Sequence, residues 1–428
     1  MKYAQIKSRL FIKNRKKLFK LLKNKSVAII NSNDEMPRNG DQTFPYRQNS
    51  DFFYLTGIEQ EKSVLIISKG YKKEFEEILF ILKPEKTLEI WEGHKLTNEE
   101  VKTISGIDNI KYISEFEMML QEVILASETV YLNKNENLKF ETPVLYKDIR
   151  LINEITEKFP LHNYERLAPL LTELRLQKEP EETELIQEAC NITTKAFHRI
   201  LKFIKPGEKE YEIEAEITAE FLRNGASGHA YQPIIASGKD NCVLHYVSND
   251  KECKDGDLIL MDFGAEYANY AADTTRTVPV NGKFTDRQKE VYNAVLRVMK
   301  KATSLIKPGN TINKVNEEVN RLIEKELINL GLAKQNEIDD KEKKDSVRMK
   351  YFMHGNSHFM GLDVHDVGTK DTVFKAGMVM SCEPGIYVEE EGFGIRLEND
   401  ILVTENGQID LLAEEPIEIE DIERLMSK

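Results

Sequence analysis

The second half of the chain repeats itself, and that repeat limits the folds open to it. Ile204-Lys205-Pro206-Gly207 recurs as Ile306-Lys307-Pro308-Gly309, each after a long amphipathic helical pattern and before an acidic one. Further on, Lys254-Asp255-Gly256 and the LILMDFG behind it align with Lys375-Ala376-Gly377 and MVMSCEPG at an offset of 121 residues. That offset lays Asp262 on Glu383 and Gly264 on Gly385. His245 lies 17 residues before Asp262, and His365 lies 18 before Glu383. A duplicated helix-plus-strand unit with carboxylates at equivalent points is expected to put one site on a pseudo-twofold axis.

At 428 residues the chain is too long for one ordinary core, so two domains are expected, 1–165 and 166–428. The first half alternates strands with charged helices and reads as a small α/β domain. Ser26–Asn31, Ser63–Ser68, Ile78–Leu82, Ile90–Trp91 and Val130–Leu132 are its expected strands, and Glu115–Ala126 is a helix. Trp91, the only tryptophan, reads as a packing residue that could also reach a partner's site in an oligomer. Pro160 to Pro180 is helical by pattern and marks the boundary. Residues 333–350 look like a solvated insertion within the repeated half.

A net charge of −13 argues against nucleic acid as partner, because phosphate binding needs a basic face. No apolar run approaches the roughly 20 residues of a membrane span. The four cysteines form no CxxC pair, so packed thiols in a reducing compartment, the cytoplasm, are expected. Residues 2–25 hold ten Lys or Arg and no acid, a pattern shared with organelle transit peptides. The plainer reading, and the one adopted, is a basic surface helix with Leu10, Leu18, Leu21 and Leu22 turned inward.

Four stretches carry chemistry. In MDFGAEYANYAADTTRT, Asp262 and Asp273 are eleven residues apart, an odd spacing that predicts directly opposed positions across a hairpin. Such pairs have Cβ atoms roughly 5 Å apart, and two carboxylates that close repel unless a cation sits between them. HGNSHFMGLDVHDVG brings His354, His358 and His365 together. SCEPG contributes Glu383, and GIRLEND puts Arg396, Glu398 and Asp400 on one strand face. Glu383 and Glu398, 15 residues apart, predict a second hairpin matching the first. His354 and His358 have the i, i+4 spacing of a zincin helix, but Gly355 stands where the general-base Glu belongs, so that reading fails. Four carboxylates and one histidine balance two dications, and an oxygen-rich donor set suits Mn²⁺ or Co²⁺ better than zinc. Two adjacent metals are a recurrent arrangement for hydrolysis. His94, His162 and His198 read as surface or packing residues, and His229 is left undecided.

The blocks LMDFGAEYANYAADTTRT, HGNSHFMGLDVHDVG, SCEPGIYV and GIRLENDILV resemble those of the Xaa-Pro aminopeptidases (aminopeptidase P). These belong to the pita-bread metallopeptidases, with prolidase and methionine aminopeptidase. PYRQNSDFFYLTGIEQEKSVLII is similar to that family's N-terminal domain, so the resemblance covers nearly the whole chain. It implies a pita-bread catalytic domain behind a smaller α/β domain, and five ligands of a dinuclear, usually manganese, centre: Asp262, Asp273, His358, Glu383 and Glu398. Glu383 would also steer the proton of a metal-bridging hydroxide. His245 and His365 would stabilise the oxyanion, while His354, Tyr387 and Arg396 would line the pocket for the substrate proline. The implied substrates are peptides with proline second, and the implied assembly is a homodimer or homotetramer. Prolidase, with the same metal chemistry, is the alternative.

Overall fold

A computed structural model describes residues 3–137, 139–140 and 142–427, in two units, Tyr3–Arg175 and Leu176 onward. Among the described residues no helix is long and apolar enough to cross a membrane. Cys190, Cys253 and Cys382 are buried free thiols.

The first unit runs α1 (Arg9–Leu21), β1 (Ser26–Asn31), the exposed hairpin β2 (Pro37–Asn39) and β3 (Gln42–Thr43), α2 (Ser50–Thr56), β4 (Val64–Lys69) and β5 (Glu77–Ile81). It continues through α3 (Lys86–Glu92), α4 (Asn98–Ser105), β6 (Ile110–Tyr112), α5 (Phe116–Leu125), β7 (Thr129–Leu132), α6 (Lys147–Lys158) and β8 (Asn163–Arg166), and α7 (Ala168–Leu176) leads out of it. One mixed sheet, ordered β6-β5-β4-β1-β7-β8, organises it. β1 is buried along its whole length, as a run of Val, Ala and Ile in a central strand requires.

Four expectations fail here. Ile90 and Trp91 lie on helix α3, not a strand; a two-residue apolar run sets no period, and the flanking Lys, Leu and Glu are good helix formers. Trp91 does not pack inward but is 87% exposed. Asn163–Arg166, inside a stretch read as helical, is the edge strand β8, parallel to β7. Leu21 is exposed at the edge of the buried face of α1, whereas Leu10, Leu18 and Leu22 are buried. That face also buries Arg15, which pairs with Glu77 and donates to the carbonyls of Leu55 and Ser105.

The second unit opens with α8 (Pro180–Phe203), α9 (Glu210–Arg223), β9 (Gly228–His229), β10 (Ile234–Ser237), β11 (Leu258–Phe263), β12 (Ala265–Tyr267), β13 (Tyr270–Ala271) and β14 (Thr274–Pro279). It proceeds through α10 (Asp286–Thr303), α11 (Ile312–Asn329), α12 (Gln335–Asp339), α13 (Lys344–Tyr351), β15 (Val379–Cys382), β16 (Gly385–Val388), β17 (Phe393–Arg396), β18 (Asn399–Thr404), β19 (Gly407–Asp410) and α14 (Ile419–Met426). Three-stranded antiparallel sheets β10-β11-β14 and β15-β18-β19 carry the two copies of the repeat.

The repeat is visible bond by bond. Gly207 N–H donates to the Cys253 carbonyl and Gly309 N–H to the Phe374 carbonyl, and Cys253 and Phe374 stand 121 residues apart. The turns that follow match as well, with Asp257 N–H donating to the Lys254 carbonyl and Met378 N–H to that of Lys375. Gly256 and Gly377 both sit in the left-handed region, at φ 85° and 88°. Each turn then launches a buried strand, β11 in one copy and β15 in the other.

Candidate metal centre

β11 ends at Asp262, facing β14 in a register that pairs Asp262 with Thr275 and Phe263 with Thr274. Asp262 and Asp273 are therefore not directly opposed, as their spacing predicts, but diagonal neighbours on one face. The register is set by the two-residue turn Ala268-Asn269, at φ 51° and 66°, between the paired Tyr267 and Tyr270. Gly264 makes the crossing possible, because a Cβ there would lie 1.8 Å from the Ala272 carbonyl oxygen.

The second copy forms the second hairpin. β15 pairs with β18 (Cys382 against Asn399) and β16 with β17 (Gly385 against Arg396), one register that sets Glu383 opposite Glu398. The two copies join where Glu398 N–H donates to the Thr275 carbonyl at 3.1 Å and the Thr275 hydroxyl donates to Glu398 Oε2 at 2.6 Å.

His358 sits in the loop after α13, tied to β15 by its N–H to Ser381 Oγ at 3.1 Å and by Ser381 N–H to its carbonyl at 2.9 Å. Its Nδ1 lies 3.2 Å from the Phe359 carbonyl, which turns Nε2 toward the carboxylates. Nε2 is 3.4 Å from Asp273 Oδ2 and 3.6 Å from Glu383 Oε1. Donor atoms of Asp273, His358 and Glu398 all lie within 4.8 Å of one another.

The charge state of this cluster calls for cations. Burial, with repulsion from Asp273, holds the Asp262 carboxyl above the ordinary range. Burial likewise raises Glu383 to about 7, and Glu398 well above its usual range. Burial alone would lower His358, but its bond to Asp273 and the charge of Glu383 raise it to about 9. The Tyr231 hydroxyl faces both Asp262 Oδ1, at 2.6 Å, and Asp273 Oδ1. One hydroxyl proton cannot serve two carboxylate oxygens, so a further proton or a cation belongs between them. Arg396 supplies one positive charge, with Nη2 2.5 Å from Asp262 Oδ2. Four carboxylates and an imidazole fit divalent metal ions, and the hard oxygen donors dominate.

A second chain of hydrogen bonds leads off Arg396. Its Nη1 donates to the Tyr387 hydroxyl at 3.0 Å, which donates to His354 Nε2 at 2.8 Å, while His354 Nδ1 donates to the Gly355 carbonyl at 2.8 Å. Burial, then the charge of Arg396, lowers His354 to about 3, so the ring is neutral and this wall carries no second cation. His365 meets the cluster through its ring, 4.4 Å from that of His358 and edge-on. His245 stands apart: it is exposed on the segment after Cys242, near enough for its charge to disfavour protonation of His354.

Sequence reasoning missed two supports and gave a third no role. Tyr231 bridges Asp262 and Asp273, and Thr275 orients Glu398. Asp400 is fully buried and accepts the Asp273 N–H at 2.9 Å. Asp400 was legible as sharing a strand face with Glu398, whereas Tyr231 carries no local pattern. His229 is structural: it packs on Phe221, and its Nε2 meets the Thr218 hydroxyl at 2.8 Å.

A family model described as Metallopeptidase family M24 matches residues 184–405, and one described as Aminopeptidase P, N-terminal domain, matches residues 11–131. The chain is 36% identical over 444 residues to the Xaa-Pro aminopeptidase of Escherichia coli (strain K12), covering 99% of this chain and 98% of that protein. Among solved structures it is similar to one of a protein from Bacillus anthracis, at 36% identity and a TM-score of 0.92 over 98% of each chain. It is also similar to a zinc-substituted E. coli aminopeptidase P in complex with product, at 35% identity and a TM-score of 0.89 over 99% of each.

Proposed function

We infer from this that the chain, which belongs to metallopeptidase family M24 and carries the N-terminal domain of aminopeptidase P, is a metal-dependent exopeptidase that hydrolyses the N-terminal Xaa-Pro bond of peptides. Its fold is mixed α/β, an N-terminal domain followed by a pita-bread catalytic domain. The match to the aminopeptidase P N-terminal domain favours this activity over prolidase.

The observation that carries the reading is the convergence of four carboxylates and His358 from both copies of the repeat. Asp262, Asp273, His358, Glu383 and Glu398 are the proposed ligands of two divalent ions, and Mn²⁺ is the proposed metal because oxygen donors outnumber the single nitrogen. Bound there, the metals supply an activated water and polarise the scissile carbonyl. The protein's own residues do the rest. Glu383, besides its place among the proposed ligands, steers the proton of the attacking water. His365 and His245 stabilise charge that develops on the carbonyl oxygen. His354, Tyr387 and Arg396 line the pocket for the proline ring, whose rigidity lets a shaped cavity select it. The substrate's α-amine binds near Asp262, which sets the cut one residue from the N-terminus.

We place the enzyme in the cytoplasm as a homodimer or homotetramer, without nucleic-acid or membrane partners. The test is metal-dependent release of the first residue from Xaa-Pro-Yaa against Xaa-Ala-Yaa. Activity on the first that is lost to chelation and restored by Mn²⁺ supports the reading; equal activity on both contradicts proline selection.

A further inference from the structure

We propose that Lys178 is a positioning residue for catalysis, its buried ion pair with Asp366 fixing the loop that presents His365 to the metal ligands. The proposal rests on the oxyanion role given to His365 above. Lys178 Nζ lies 3.0 Å from Asp366 Oδ2, and both side chains are 1% exposed. Burying an ion pair costs desolvation that a well-packed apolar pair would avoid, so stability alone is a poor reason to keep one. What the pair does is geometric. Asp366 follows His365 directly, and its N–H returns to the Phe359 carbonyl at 2.9 Å, closing the loop between His358 and His365. The two histidine rings meet across that closure.

The loop is shaped around the pair. A Cβ on Gly361 would lie 2.3 Å from Asp366 Oδ2 and 2.8 Å from Lys178 Cε, so any side chain here would displace the ion pair. Gly361 also accepts the Ala271 N–H at 2.9 Å, joining this loop to the hairpin that carries Asp273. Lys178 is itself held, its N–H donating to the Gly377 carbonyl at 2.8 Å just before β15 begins. Four residues on, buried Glu182 accepts from the Tyr270 hydroxyl at 3.0 Å, at the tip of the same hairpin. The start of α8 therefore fastens the histidine loop and the first hairpin together.

The test measures bound metal, kcat and KM on an Xaa-Pro-Yaa peptide for Mn²⁺-loaded Lys178→Met, His365→Ala and the double variant. Lys178→Met is expected to keep metal and KM and to lose kcat by about 10- to 100-fold, the cost of a misplaced catalytic group. In the His365→Ala background the same change is expected to cost less than about 2-fold, because the group it positions is gone. Gly361→Ala, which pushes the ion pair apart without removing charge, should lose kcat similarly and secures the test should Lys178→Met not fold. An equal cost of Lys178→Met in both backgrounds, or loss of metal, overturns the proposal. Wild-type turnover in His365→Ala would overturn the oxyanion reading itself, and the proposal with it.

Discussion

Thr275 and Glu398 meet twice across the seam between the two copies of the repeat, once through backbone and once through the hydroxyl at 2.6 Å from Oε2. The same hydroxyl accepts from Arg396 Nε at 3.0 Å, so one side chain orients a proposed ligand of one copy and the counter-charge of Asp262. Partners that orient metal ligands are worth roughly 10- to 100-fold in metal affinity. Thr275→Val, which keeps the shape and removes the oxygen, is expected to weaken Mn²⁺ binding by about 10-fold. Metal titration of the chelated protein checks this; unchanged affinity contradicts the role.

Metal binding should expel protons. In the metal-free protein Glu383 titrates near 7 and His358 near 9, and both must lose their protons to ligate. Affinity is therefore expected to rise from pH 6 toward pH 9. Both values lie above those of an unfolded chain, so both groups stabilise the metal-free protein at low pH and lose that contribution as pH rises through 7 and then 9. Calorimetric titration in two buffers of different ionisation enthalpy reads the released protons. Identical heats in both buffers would contradict the expectation.

Glu383 and His365 should separate when replaced. Glu383→Ala removes a donor opposite Glu398 and is expected to lose metal and rate together. His365→Ala leaves all five proposed ligands and is expected to keep metal and lose rate. Metal analysis beside kcat decides it, and near-native turnover in His365→Ala would contradict the oxyanion role.

The four candidate carboxylates were legible because the repeat aligned Asp262 with Glu383 and each hairpin supplied its second acid at an odd spacing. That spacing was right about the shared face and wrong about the register of the first hairpin. Asn269, a residue that tolerates the left-handed region, was the signal that the turn centres on Ala268-Asn269 and so opposes Asp262 to Thr275. Trp91 was misread because an apolar pair in a charged stretch has no period to place it. Tyr231, Lys178 and the seam at Thr275 depend on contacts between elements distant in sequence, which no local pattern encodes.

Burial raises Glu182 to about 7 from an ordinary 4.5, against the bonds it accepts from Glu179 N–H and the Tyr270 hydroxyl. A carboxyl raised on folding stabilises fully below its unfolded value and loses that contribution as pH climbs through the folded one. Between pH 4.5 and pH 7 the wild type is therefore expected to lose about 3 kcal/mol more stability than Glu182→Gln. Denaturant unfolding of both proteins across that window measures the difference, and parallel pH profiles would contradict it.

The most direct test of the central claim is a paired assay on Mn²⁺-loaded protein, following release of the first residue from an Xaa-Pro-Yaa tripeptide and from an Xaa-Pro dipeptide. Fast tripeptide cleavage with slow dipeptide cleavage is the predicted result. Fast cleavage of the dipeptide alone would contradict it and make the protein a prolidase.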